Sequence, residues 1–342
     1  MEIVRIGIVG FGAWGPNHAR NLEAQEGCRV VEIADTSEAR LTLARKQYPG
    51  VEVINDAETV LEGSGNDAVV IATPLGSHHD LVRRALLAGK HVLCEKPLTR
   101  TSEEAKELIE IATSRGLILM VGHVFMFNPG VLFLKAEIER GELGRIYYLD
   151  LVRTNLGPIR QDVGAIYDLA SHDISICNFL LEAQPSEVAC NAAYYLQRDR
   201  EDVAFLTLYY PNQVVANIHV SWLDPRKVRQ VTVVGNSKMA LWDDINTTEP
   251  LRLYDKGVAA ERPYTTFGEF HMVLRDGNIV IPKVRMFEPL TRQDNHNHFV
   301  CCIRERRPPI CDGHNGLAVV RVLETALESL KNGGRITAVP RD

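Results

Sequence analysis

The chain has 342 residues, enough for about two domains that each bury a core. Hydrophobic residues make up 45% and charged residues 24%, the balance of a globular protein and not of a disordered one. A formal net charge of -6 argues against sequence-independent nucleic-acid binding, which needs a basic face, yet a few placed arginines can still serve a small anionic ligand.

The opening MEIVRIGIVGFG has no basic stretch ahead of a leader-like apolar segment, so it is expected to be a strand and not a signal peptide. From there to residue 122, apolar runs at 3–9, 29–34, 68–72, 90–94 and 117–121 alternate with helical periodicity at 37–47, 77–88 and 102–115. Ser37 caps the first of these helices, and Ser102-Glu103-Glu104 places acids in the first turn of the last. Such alternation predicts βαβ units and a doubly wound parallel sheet, a Rossmann domain over residues 1–122.

After about residue 145 strand-like runs follow one another directly, at 145–153, 186–196, 202–210, 213–222, 228–234 and 238–242, split by turn signals such as Pro211-Asn212 and Gly235-Asn236. The expectation is a second α/β domain over 123–342, with an open, mainly antiparallel sheet and a helix near 168–181 against it. Residues 257–289 read as an irregular arm, followed by helices near 291–305 and 314–331 and a short strand at 335–339. No apolar run approaches the roughly 18 residues of a membrane span. The cysteines at 28, 94, 177, 190, 301, 302 and 311 form no CxxC pair, which suits a reduced, cytoplasmic setting without structural zinc.

The first strand runs into Gly10-Phe11-Gly12-Ala13-Trp14-Gly15, a GxGxxG ahead of a predicted helix. Gly10 permits the tight turn, Gly12 lets the backbone approach a pyrophosphate, and Gly15 allows close helix–strand packing. The helix start adds N–H donors and partial positive charge. Asp35 ends the second strand, where a ribose-binding acid belongs; it would accept from the 2′-OH and repel a 2′-phosphate, favouring NAD over NADP. A nucleotide-free domain with Asp35 as a helix cap is the plain alternative.

In a doubly wound sheet, ligands bind beyond the carboxyl ends of the strands. Ala72-Thr73-Pro74-Leu75-Gly76-Ser77-His78 stands at one such end and Glu95-Lys96-Pro97 at another. Thr73, Pro74, Leu75, His78, Glu95 and Pro97 are therefore expected to border the cofactor with Ala13 and Trp14, and Pro97 to fix the turn, a cis bond being one way. Lys96 would point at the nicotinamide and stabilise negative charge developing on a substrate oxygen. Taken alone, it could equally be a surface lysine lying along the strand.

The GxGxxG start, the ATP…H segment and EKP before a helix together resemble the Gfo/Idh/MocA family of NAD(P)-dependent oxidoreductases over nearly the whole chain. The resemblance implies that Lys96 contacts substrate and nicotinamide. It also implies that a D-x-x-x-H pair, here Asp168 and His172, opens a helix of the second domain with both side chains on one face. The imidazole would take a hydroxyl proton as hydride leaves the same carbon, with Lys96 as the alternative acceptor and Asp168 orienting substrate or histidine. No metal is expected, because the histidines form no compact ligand set and His296 and His298 lie only two apart.

Two departures from the common family pattern stand out: the glycine-rich lead-in to Asp168 is missing, and no arginine occurs in Gly122-His123-Val124-Phe125-Met126-Phe127-Asn128-Pro129. With residues 153–162, 167–174, 277–282 and 288–290, the chain is instead similar to a branch of UDP-N-acetylglucosamine 3-dehydrogenases. That likeness implies a nucleotide-sugar substrate bordered by His123, Asn128, Arg153, Asn155 and Arg160, the arginines and Asn155 offering donors to a carbonyl or diphosphate. Other substrates (a UDP-sugar acid, a hexose, a cyclitol such as inositol) and a non-catalytic NAD-binding sensor stay open. An open sheet seeks a cover for its outer face, so a homodimer or homotetramer through residues 186–242 is expected, with neither nucleic acid nor membrane as partner.

Overall fold

A computed structural model describes residues 3–258, 274–275, 277–282 and 290–341. It divides into two compact units, one of residues 1–127 and 289–324, the other of residues 128–288 and 325–342. The expected cut near residue 122 therefore misses a return of the chain: residues 289–324 rejoin the first unit.

The first unit carries six parallel strands, β1 (Val4–Val9), β2 (Cys28–Ala34), β3 (Glu52–Ile54), β4 (Ala68–Ile71), β5 (His91–Cys94) and β6 (Leu119–Val121), in the order β3-β2-β1-β4-β5-β6. This is the doubly wound Rossmann order, in which the strand sequence reverses between β1 and β4. Helices α1 (Gly15–Glu23), α2 (Glu38–Gln47), α3 (Ala57–Glu62), α4 (His78–Leu87) and α5 (Ser102–Ser114) make the crossovers. The strands read as unbroken apolar runs because both faces are covered: Ile6, Ile8, Val69, Val70, Ile71, Val92 and Leu93 are fully buried. Each such side chain contributes about 1.5–3 kcal/mol by leaving water. Sequence patterning passed over β3 and α3, whose three and six residues are too short to show a period.

The second unit begins with α6 (Pro129–Glu139), then β7 (Ile146–Thr154), a π-helical turn (Ile166–Ala170) and α7 (Ser171–Leu181). Strands β8 (Glu187–Ala193), β9 (Val203–Tyr209), β10 (Val215–Ser221), β11 (Val228–Gly235), β12 (Met239–Asp243) and β13 (Leu251–Tyr254) follow. After them come β14 (Gly257–Val258), β15 (Leu274–Arg275), β16 (Ile279–Val280), α8 (Leu290–Glu305), α9 (Gly313–Lys331) and β17 (Thr337–Ala338). Nine strands pair in the order β16-β13-β12-β11-β7-β10-β9-β8-β17, while β14 and β15 form a separate ladder. Every pair in the nine-stranded sheet is antiparallel except β7 with β10, so the sheet is mixed and mostly antiparallel. Most of the expected arm at 257–289, including Glu288 and Pro289, lies outside the described residues. Among those described, no helix is long and apolar enough to cross a membrane.

Candidate functional site

The three motif glycines of the first unit do three different jobs. Gly10 follows β1 with φ 96°, in the left-handed region, and a Cβ there would lie 2.6 Å from the Ala72 carbonyl oxygen. A Cβ on Gly15 would lie 2.2 Å from the Gly10 oxygen, so the helix could not start so close to the strand. A Cβ on Gly12 would meet nothing within 4 Å; the backbone there faces open space, as approach of a pyrophosphate requires. Trp14 caps α1 without a side-chain hydrogen bond, so its side chain does not occupy the N–H groups of the first turn.

Asp35 braces the same loop. Its Oδ2 accepts the Phe11 N–H at 2.6 Å and its Oδ1 the Ser37 N–H at 2.8 Å. A carboxylate has about four lone-pair positions, so two acceptor sites remain for ribose hydroxyls. Glycine loop, acid and switch-point order together fit a dinucleotide.

Beyond β4 and β5, two loops are tied to each other. His78 is buried, its Nδ1 2.9 Å from the Pro97 oxygen and its Nε2 3.0 Å from the Thr73 oxygen. Burial pushes its pKa down, and a neutral ring can donate to only one carbonyl at a time. The structure thus gives this expected cofactor neighbour a bracing role between the Thr73 and Pro97 loops. Leu75 and Pro97 are buried beside it, and the Lys96–Pro97 peptide is cis. The turn is closed downstream by a capping box, in which Thr101 accepts the Glu104 N–H and Glu104 accepts the Thr101 N–H. Lys96, half-buried, stands at the head of this pinned segment.

Glu95 is buried at 9% exposure and engaged through both oxygens. Oε1 lies 2.9 Å from His18 Nε2, and Oε2 accepts the Lys96 N–H at 3.2 Å. Burial works against its charge, yet the hydrogen bond and charge of His18 and the nearby Lys96 hold the carboxyl below the usual range. His18 Nδ1 in turn lies 2.8 Å from His296 Nε2. The sequence reading passed over His18 and weighed His296 only as a metal ligand; the one signal for His18 was its place three residues after the last motif glycine. His298 is used differently, its Nε2 accepting the Ile310 N–H at 3.0 Å.

His123, expected to border substrate, is sealed from solvent after β6 and has no hydrogen-bond partner among the described residues on either ring nitrogen. Burial, and next the positive charge of Lys96, push its pKa down to about 3, so the ring is neutral at any working pH. Two unsatisfied buried nitrogens cost roughly 1–3 kcal/mol each.

In the second unit, Asp168 sits on the π-helical turn and His172 in the first turn of α7. Such turns recur at functional sites because they re-aim side chains within a helix. Asp168 Oδ1 accepts Arg160 Nη1 at 3.1 Å and Oδ2 accepts Trp222 Nε1 at 3.2 Å; His172 is half-buried. The turn is seeded by Glu201, whose buried carboxylate accepts the Ile166 N–H at 2.9 Å. Gly164 replaces the expected glycine-rich lead-in for a steric reason, since a Cβ there would lie 2.2 Å from the Glu201 carboxylate.

The expected substrate donors are largely committed inside this unit. Arg153 makes a buried bidentate pair with Asp173, through Nε at 3.0 Å and Nη2 at 2.7 Å, both side chains under 5% exposed. Arg160 also chelates Asp162, at 2.9 and 2.6 Å, while about a third of it remains exposed. Asn128 caps α6 by accepting the Gly130 N–H at 2.8 Å. Asn155 curls over its own loop, within 2.0 Å of where a Gly157 Cβ would stand. Among the described residues, no three His, Cys, Asp or Glu side chains gather as a metal site.

Comparison with known proteins agrees with both halves. Residues 4–123 match "Oxidoreductase family, NAD-binding Rossmann fold", and residues 131–240 match "GFO/IDH/MocA C-terminal domain". Inositol 2-dehydrogenase 2 of Saccharopolyspora erythraea is 32% identical over 64% of this chain, a match spanning 66% of that relative, just under two thirds of its length. UDP-N-acetylglucosamine 3-dehydrogenase of Acidithiobacillus ferrooxidans is 28% identical over 95% of this chain and 96% of its own. A solved structure of that enzyme superposes with a TM-score of 0.80 at 25% identity, covering 98% of this chain and 100% of the other. With its Rossmann strand order, its EKP turn and matches on both sides of residue 127, the chain belongs to the Gfo/Idh/MocA family of NAD-binding oxidoreductases.

Proposed function

We propose that the chain catalyses NAD-dependent oxidation of a secondary hydroxyl on a sugar ring, at C3 of UDP-N-acetylglucosamine, giving a 3-keto sugar. One observation carries the choice of substrate. Likeness to the nucleotide-sugar enzyme runs through 95% of the chain, whereas the inositol enzyme aligns with 64%. Bound NAD would supply the hydride acceptor. Gly10, Gly12, Ala13, Trp14, Gly15 and Asp35 would hold it, with Thr73, Pro74 and Leu75 at its edge, Glu95 and His78 bracing the cis Pro97 turn from behind. Lys96 would stabilise the alkoxide as it forms, and His172 would take the hydroxyl proton.

Asp168 would orient the imidazole or a substrate hydroxyl, and it is already held by Arg160 and Trp222. Arg160, partly exposed, and Asn155 are the donors best placed to meet a diphosphate or acetamido group. His123, Asn128 and Arg153 would act behind them, shaping the site. A two-fold homodimer through the nine-stranded sheet completes the reading, since Tyr148 and Phe205 stand 46% and 51% exposed on its strands; a single sedimenting species at monomer mass would remove it.

The higher identity of the inositol enzyme over its shorter match favours a cyclitol as second reading. Incubation with NAD and a panel of UDP-sugars, hexoses and inositols, read at the NADH absorbance, decides between them. Turnover of UDP-N-acetylglucosamine above the others is expected; turnover of inositol alone would replace it, and silence with intact NAD binding would leave an NAD sensor.

A further inference from the structure

The oxidation proposed above uses Lys96 but leaves unexplained why three titratable side chains line up behind it. We propose that His18 and His296 are positioning residues for Lys96, forming with Glu95 a buried carboxylate–imidazole–imidazole chain that sets the charge next to the lysine. The inference rests on the proposed role of Lys96 and extends it to residues on α1 and α8.

Hydrogen counting shows how the chain works. An ionised Glu95 needs a proton on His18 Nε2, 2.9 Å away. The 2.8 Å contact between His18 Nδ1 and His296 Nε2 then holds a single proton between two nitrogens. With that proton on His296, His18 is neutral and the Glu95 charge faces Lys96 undiminished. A proton arriving at His296 Nδ1 lets the Nε2 proton pass to His18 Nδ1; His18 becomes imidazolium and neutralises Glu95. One proton enters and one moves inward, so the balance is kept.

The line is well buried, with exposures of 3% for His18, 4% for His296 and 9% for Glu95, so water does little to screen it. Glu95 also faces Lys96, His123 after β6, His78 at the start of α4 and the Cys94 thiol. Of these, burial favours the neutral form of His78 and His123 and pushes the thiol up, leaving Lys96 as the standing cation beside the carboxylate and the His18–His296 chain as the route by which a second can arrive. Placing the pair on two separate helices also ties α1, which follows the glycine loop, to the lysine turn.

The test uses His18→Gln and His296→Gln in the full chain, because glutamine keeps a donor and an acceptor but carries no charge. Turnover against pH is measured with NAD and the best sugar of the panel, beside NADH affinity and melting temperature. Ring-nitrogen resonances of histidine-labelled protein are followed through the same pH range. The expected result is a roughly tenfold loss of kcat at neutral pH in either variant. The acid limb should move by about one pH unit from its wild-type position, since neither variant can relay a proton to an imidazole beside Glu95, with NADH affinity within about threefold. In the wild type the two ring systems should titrate together, and His296→Gln should shift the His18 nitrogens.

A pH profile and His18 resonances that match the wild type in His296→Gln would overturn the proposal. If His18→Gln does not fold, His296→Gln carries the same readouts from one step further back. Should no sugar be turned over by any form, the proposed function fails by itself, and the coupled ring titration decides the proton chain without it.

Discussion

The nucleotide end of the first unit and the loop after β7 in the second make an instructive contrast. In the first, residues expected to matter are constrained by backbone: a positive φ at Gly10, a blocked Cβ at Gly15, open space at Gly12. In the second, the expected donors are long polar side chains, and several have found partners inside the protein. Arg153 is taken by Asp173, Arg160 shared by Asp162 and Asp168, and Asn128 spent on a helix cap. Backbone demands write themselves into sequence at fixed short spacings. A side chain's partner is chosen by the fold, and two residues twenty apart, such as Arg153 and Asp173, give no local sign of it.

The sharpest way to break this contrast is to remove the one group in each unit proposed to do chemistry. Lys96→Ala and His172→Ala should each lower kcat about 10²–10⁴-fold, the usual range for a lost proton-transfer or charge-stabilising group. NADH affinity should change little. Equal turnover in wild type and both variants, measured under saturating NAD, would discard the catalytic assignments.

Next in size is Arg153. Removing one member of a buried, bidentate pair strands the other charge and costs about 3–5 kcal/mol. Arg153→Ala should therefore lower the melting temperature sharply, while Arg160→Ala should chiefly raise KM for the sugar. If Arg153→Ala melts like the wild type and only weakens substrate binding, Arg153 belongs with the open donors and the contrast collapses. Asp35 offers a smaller effect on the other side: Asp35→Ser should cut the preference for NADH over NADPH by about tenfold, the worth of roughly 1.4 kcal/mol. Its two backbone contacts, to Phe11 and Ser37, predict some loss of affinity for both cofactors as well.

These cases also mark how far reading the chain could go. The two sheets, most of their elements and the glycine loop follow from periodicity and spacing, because buried strands and tight turns restrict residue type locally, while the EKP turn is marked by family resemblance; the eleven-residue α6 and the four-residue β13 did not show themselves. Domain limits did not follow, since α8 and the first part of α9 rejoin the first unit across a long stretch of chain. Nor did His18 and His296, which lie 278 residues apart and carry no motif of their own. The π-helical turn under Asp168 was read as plain helix, because its cause, Glu201, sits on a different loop.

Glu201 supplies the smallest and most diagnostic effect. Burial pushes its pKa up, with the hydrogen bond from the Ile166 N–H acting the other way and losing. A carboxyl whose folded pKa lies above its unfolded value binds its proton more tightly when folded. Its contribution is therefore most favourable at pH below the unfolded value and declines as pH rises through the folded one, opposite to a salt-bridged acid. Glu201→Gln keeps an oxygen to accept the Ile166 N–H but has no charge to bury. Its melting temperature relative to wild type should thus improve from pH 5 to pH 8, by an amount on the order of a few degrees. Glu201→Ala lacks the acceptor and should be less stable at every pH, with kcat reduced as the turn under Asp168 loosens. A Glu201→Gln difference that is flat across this range would mean that the carboxylate is as well solvated in the fold as outside it, and that the π-helical turn does not owe its start to a buried acid.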